Sequence, residues 1–175
     1  MKKNKNSKWA AALVIVLLLS LCLVVPAQAF QAMSADTLVI ESGEVIDDDL
    51  YAVAASFTLR GVIKGDLVVL GSEITIASGG VVEGDIIAAG QNIVIKGTVI
   101  DDLRTVAAAI TIETGAEIGD DLVAASYSLE TEPESSIGGD LAFAGGQSLL
   151  AGEPVDPRIM RKSTAAILTE AMAGK

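Results

Sequence analysis

One pattern, centred on an aspartate, returns six times along this chain and leaves room for few architectures. With Asp49, Asp66, Asp85, Asp102, Asp121 and Asp140 as origins, successive copies are 17, 19, 17, 19 and 19 residues apart (66−49, 85−66, 102−85, 121−102, 140−121). Three residues before each origin stand Ile46, Ile63, Val82, Val99, Ile118 and Ile137, and one residue after it Leu50, Leu67, Ile86, Leu103, Leu122 and Leu141. Eight after come Phe57, Ile74, Ile93, Ile110, Leu129 and Ser148, and ten after come Leu59, Ile76, Ile95, Ile112, Thr131 and Leu150. Five after, the residue is always small: Ala54, Gly71, Gly90, Ala107, Ser126 or Gly145. That position reads as a tight corner.

A period this short, with β-branched residues at alternate positions and Gly at the breaks, predicts strands of a solenoid. A single copy cannot bury its own apolar face. Stacked at about 4.8 Å, six coils make a core about 29 Å tall in which like side chains form interior ladders and backbone groups pair with the neighbouring coil. The two-residue differences in period fall between the last strand of one coil and the next aspartate, as in 77–80 (ASGG) against 60–61 (RG). Insertions there leave the ladders in register, whereas a one-residue slip inside a strand would turn the buried face outward.

Residues 1–29 read as a signal peptide: a basic start (MKKNKNSK), an uncharged apolar run from Trp9 to Val25, and a small-x-small site at Ala27-Gln28-Ala29. The expectation is an exported protein, periplasmic, secreted or on the cell surface, with an uncleaved membrane anchor as the alternative. Cleavage before Phe30 removes Lys2, Lys3, Lys5 and Lys8 and no acid, so the net charge goes from −11 to −15. Nucleic acids and anionic membranes are poor partners for such a chain, since both need clustered Lys and Arg. The only cysteine, Cys22, lies in the leader, so the mature chain has no disulfide framework. Residues 30–36 read as a flexible lead-in, 37–150 as the coils, and 151–175 as a tail. Within the tail, 158–173 reads as a short helix with Asp156 as N-cap, Pro157 at its first position and Gly174 beyond its end. Met160, Ile167, Leu168, Ala171 and Met172 then share one face, and the helix covers the edge of the last coil or binds a partner.

The chain has no histidine, which removes most metal, nucleophilic and acid–base constellations. Carboxylate runs at Asp47-Asp48-Asp49, Asp101-Asp102 and Asp120-Asp121 are the best remaining catalytic signal, of the kind polysaccharide-cleaving enzymes use. Without inserted loops to build a cleft, the preferred reading is structural: the repeated aspartate sits at a corner and accepts backbone N–H bonds. Adjacent carboxylates repel by about 1 kcal/mol in water, and weak calcium binding at these corners stays open. An outward ladder of Thr58, Thr75, Val94, Thr111, Ser128 and Leu149 is a further candidate, for ice or glycan. No catalytic, cofactor-binding or metal-binding residue is assigned.

The segments GVIKGDLVVLGSEITI (61–76), GVVEGDIIAAGQNIVIKGTV (80–99) and GGDLAFAGGQSL (138–149) resemble the bactofilin family of polymer-forming bacterial cytoskeletal proteins, over about Val39 to Leu150. The resemblance implies a right-handed, roughly triangular β-helix that assembles end to end without nucleotide or other cofactor. The expected protein is thus all-β, a single-stranded right-handed β-helix of about six coils with a short C-terminal helix. Its expected function is that of a non-enzymatic scaffold whose partner is itself, with an envelope polymer or membrane protein as a further partner. The alternative is a monomeric extracellular module that binds a surface or a glycan.

Overall fold

The computed structural model describes residues 31–150, 153–155 and 160–163. Each coil contributes one two-residue strand and one long strand. The short strands are β2 (Val45–Ile46), β4 (Val62–Ile63), β6 (Val81–Val82), β9 (Thr98–Val99), β11 (Glu117–Ile118) and β13 (Ser136–Ile137). The long ones are β3 (Leu50–Leu59), β5 (Leu67–Ile76), β10 (Leu103–Ile112), β12 (Leu122–Thr131) and β14 (Asp140–Leu150); in one coil Gly90 and Gln91 split the long strand into β7 (Ile86–Ala89) and β8 (Asn92–Ile95). All these strands pair in parallel with their counterparts one coil away, in two sheets that run the length of the rod. The chain is a β-solenoid of about six turns.

The register follows the aspartate frame. Leu50, Leu67, Ile86, Leu103, Leu122 and Leu141 pair in succession, and the ladders at three before, one after, eight after and ten after the aspartate are buried throughout. Even Thr131 and Ser148, where the aliphatic pattern breaks, point inward. A fifth interior ladder, three residues after each aspartate, runs Ala52, Val69, Ala88, Thr105, Ala124 and Phe143. Because its residues range from Ala to Phe, it carries no sequence signature. Between the third and eighth positions the inward spacing changes phase, so the long strand bends there and gives the coil two faces. The small residue at the bend is a matter of room: a Cβ on Gly71 would lie 2.4 Å from the carbonyl oxygen of Ala54, and one on Gly145 1.8 Å from that of Ser126.

The period difference has a local cause. Coils of 19 residues carry a β-turn whose third residue is left-handed, at Gly43 (φ 86°), Gly79 (φ 87°), Gly115 (φ 79°) and Glu134 (φ 65°). In each, the N–H of the fourth residue bonds back to the carbonyl of the first: Glu44 to Glu41, Gly80 to Ala77, Ala116 to Glu113 and Ser135 to Glu132. Positive φ at the third position of such a turn favours Gly. Coils of 17 residues omit the turn.

Two sequence expectations are corrected. Gln31 to Asp36, read as a lead-in, belong to β1 (Gln31–Ile40), which pairs in parallel with β3 from Gln31↔Leu50 to Ile40↔Leu59. This rung was hidden because Phe30 stands where the frame has Asp, and Gln31 where it has an aliphatic residue. The strand nevertheless helps to close the core with Met33, Leu38 and Ile40. At the other end, the helix expected over 158–173 is replaced at Met160–Ser163 by β16, and β15 (Glu153–Val155) precedes it. Both strands pair antiparallel with β14, β15 at Ser148–Leu150 and β16 at Asp140–Ala142. The outer edge of β14 offers unpaired N–H and C=O groups that a helix could not satisfy, and Pro154 and Pro157 break any helical run before it. The leader and the rest of the expected helix lie outside the described residues.

Candidate functional site

The six frame aspartates line one edge of the rod, where each short strand turns into a long one. Each of the first five carboxylates accepts the backbone N–H of the aspartate one coil further on: Asp66 to Asp49 Oδ1 2.9 Å, Asp85 to Asp66 2.9 Å, Asp102 to Asp85 3.1 Å, Asp121 to Asp102 2.8 Å and Asp140 to Asp121 2.7 Å. The corner role expected of these residues is present, but the bond runs between coils and not within a local Asx turn. At the first coil the preceding rung has no aspartate, and Asp48 Oδ1 accepts the Asp49 N–H instead, at 3.0 Å.

This arrangement accounts for the acidic runs. Asp47-Asp48-Asp49, Asp101-Asp102 and Asp120-Asp121 all fall on the same outer edge, and among the described residues no second acidic wall faces them across a cleft. No group of three or more potential metal-ligating side chains occurs among the described residues. Arg104 bridges the edge, donating to Asp85 Oδ2 at 2.7 Å and to Asp102 Oδ2. Partial burial pushes the Asp85 carboxyl up, but the Asp102 N–H and the Arg104 guanidinium outweigh it and hold the group below its ordinary value. Arg104 is raised in turn, chiefly by its hydrogen bond to Asp85. The other three cations between 31 and 150 are also paired, Arg60 with Glu41, Lys64 with Asp47 and Lys96 with Glu113.

The threonine ladder lies on the second face of the coil, eight to ten residues after the aspartate. Thr58, Thr75, Val94 and Thr111 stack in register and are half-buried, but the next member is Glu130 and not Ser128, which pairs two places back with Ala109. Half-burial and an interrupting carboxylate leave a short array of three threonines.

The first face, one to four residues after the aspartate, holds what the sequence reading missed. Its outward positions are two and four after each origin, and they carry Tyr51, Val53, Leu70, Ile87, Val106 and Val123, each 44 to 59% exposed. Arg104 is the one charged residue at these outward positions, in a chain with 23 acids. At the C-terminal half of the face, the small side chains Ala89, Ala125, Ala142 and Ala144 open a shallow groove of about 360 Å³ between Ile87, Val106 and Val123. The signal was present in the sequence: LVVL (67–70) and IIAA (86–89) are apolar at successive positions, as in strands covered on both faces.

The two ends differ. β14 is partly covered by β15 and β16, whereas β1 is the terminal strand of its sheet, with β3 its one partner among the described residues. Within the described residues no helix is long and apolar enough to cross a membrane. Comparison of the chain with protein-family models, with curated proteins and with solved structures finds no match.

Proposed function

We propose that this protein is a non-enzymatic structural protein of the cell envelope that self-associates through an end of its solenoid, a relative of the bactofilins it resembles. The observation that carries the reading is the asymmetry of the ends. β1 presents a ten-residue strand edge, Gln31–Ile40, with one acid, Asp36, and neither Lys nor Pro to discourage pairing. At the opposite end β15 and β16 run antiparallel to β14 and occupy both ends of its edge. Assembly through β1 alone joins two rods head to head and stops. The product is a closed dimer with two-fold symmetry, not an open filament.

Sedimentation velocity and negative-stain microscopy of the chain from Phe30 to Lys175 test this over a concentration series. The expected result is a monomer–dimer equilibrium with rods of doubled length. Leu38→Lys should abolish it: Leu38 is partly buried at the open end, where a lysine reaches water in the monomer but is trapped in the dimer. A monomer at every concentration would overturn end pairing, and long filaments would overturn the closed C-terminal end. Export is tested separately, by the N-terminal residue of the protein recovered from the envelope fraction.

A further inference from the structure

We infer that the first face is a contact between two copies of this chain, packed face to face with their rods antiparallel. The stretches that build it, 31–34, 50–53, 67–70, 86–89, 103–106, 122–125 and 141–144, contain no acid in a chain with 23. It is thus the surface on which two such acidic rods can meet without burying like charges. Its one cation, Arg104, is already paired with Asp85 and Asp102 of its own edge. The outward residues form two rows held in register by the strand pairing. Two after the aspartate stand Tyr51, Val68, Ile87, Arg104, Val123 and Ala142, and four after it Val53, Leu70, Ala89, Val106, Ala125 and Ala144. The second row fits its own reverse. A two-fold axis parallel to the strands, midway between β7 and β10, sets β3 against β14, β5 against β12 and β7 against β10 of the second copy. Val53 then faces Ala144, Leu70 faces Ala125 and Val106 faces Ala89, a large side chain against a small one each time. In the first row Tyr51 likewise faces Ala142. Two sheets packed about 10 Å apart interdigitate in this way.

Area and charge set the strength of the contact. Six rungs by four residues measure about 29 by 13 Å, or about 380 Å² in plan on each copy. Stable complexes bury about 800 Å² on each side and transient ones less, so the pair is a weak, concentration-dependent dimer. The same axis sets the two aspartate edges about 10 Å apart, near one Debye length at 0.1 M salt. Association therefore strengthens as salt rises, the opposite of a contact held by ion pairs. β1 lies outside the six rungs, so this contact and the end pairing can fail separately.

The test mixes two full-length chains, both with Cys22→Ser. One is isotope-enriched; the other is isotopically silent and carries a nitroxide at Gln147→Cys, an exposed site on β14 beside the face. Only contact between copies can then broaden a signal. The expected result is at least a twofold loss of amide intensity at Tyr51–Val53, deeper at high than at low salt, with Ala142–Ala144 unaffected. Ala125→Leu in both chains should abolish the loss by setting two large side chains against each other. Leu70→Ala added to it should bring the loss back, with circular dichroism unchanged throughout. Uniform intensities would overturn the inference, since end pairing through β1 leaves the label about 34 Å, or seven spacings, from the other copy. Loss at Ala142–Ala144 would overturn the antiparallel order, and a double variant that stays uniform would overturn the size pairing. Shifts of first-face amides confined to samples with phosphatidylcholine vesicles would also overturn it, and give the face to a lipid surface.

Discussion

Asp66 offers the sharpest test of the aspartate edge, because two substitutions separate its hydrogen bond from its charge. Its Oδ1 accepts the Asp85 N–H at 2.9 Å, and it is exposed, so packing contributes little. Asp66→Ala leaves that N–H to water and removes one bond to a charged acceptor, which contributes about 1.5 kcal/mol or slightly more. Asp66→Asn keeps an oxygen in place and relieves like-charge contact along the edge, worth at most about 1 kcal/mol in water. The Ala variant should therefore lower unfolding stability by about 1 to 2 kcal/mol, and the Asn variant should lie within about 0.5 kcal/mol of wild type. Urea melts followed by far-ultraviolet circular dichroism, at low and at 0.5 M salt, measure both. An Asn variant as damaged as the Ala variant would refute the reasoning, since the charge and not the acceptor would then hold the corner. Gly84→Ala probes the same contact from the other side: its Cβ would lie 2.3 Å from Asp66 Oδ1.

Three further predictions test other parts of the fold. Ile93, 1% exposed between Ile74 and Ile110, contributes about 1.5 to 3 kcal/mol by burial, and a carboxyl in its place adds a desolvation cost of similar size; Ile93→Asp should unfold the middle coils while outward-facing Val94→Asp melts near wild type, and equal melting temperatures would reverse the inward assignment. Glu134 holds a left-handed φ of 65° where the equivalent turns have glycine, so Glu134→Gly should raise stability by about 1 kcal/mol, read as a higher urea midpoint at unchanged slope. Thr105 is 4% exposed in the fifth ladder and its Oγ1 has no hydrogen-bond partner; Thr105→Val should stabilise by about 1 kcal/mol, and a loss in calorimetry would show that the hydroxyl is satisfied in solution.

The solenoid was legible because two of its five ladders are aliphatic in every coil and two more are apolar in all but one, at Ser148 and Thr131. Burial on a dry axis admits Leu, Ile or Val at the position after each aspartate, and the sequence has nothing else there. The fifth ladder was invisible since residues as different in size as Ala52 and Phe143 stand in the same interior stack. β1 was missed for a related reason. An end rung is covered on one side alone, which relaxes the demand on Gln31 and Ser34. The tail failed in the opposite way: residues 158–173 satisfy helical rules locally, but an open strand edge nearby offers Met160–Ser163 stronger partners than their own neighbours. At the candidate surfaces, the aspartates were seen and their corner role anticipated, while the direction of their bonds needed coordinates. The apolar first face was written in Val53, Leu70, Ile87 and Val106, yet alternation alone does not say which of two apolar sets faces water.

The restriction of the coils to 17 or 19 residues makes the rod's length countable. A left-handed turn adds two residues outside the ladders, and each of the first five frame aspartates accepts the N–H of the next, so successive coils meet through the same backbone and aspartate bonds. Excision of residues 66–101, one coil of each kind, would bring Asp102 into the place of Asp66, still 17 residues' worth of frame beyond Asp49, with every ladder rejoined. The protein would shorten by about 10 Å at about 4.8 Å per coil and keep both of its ends. Selection can thus set the reach of this molecule by duplication or loss of whole coils, without redesigning its core.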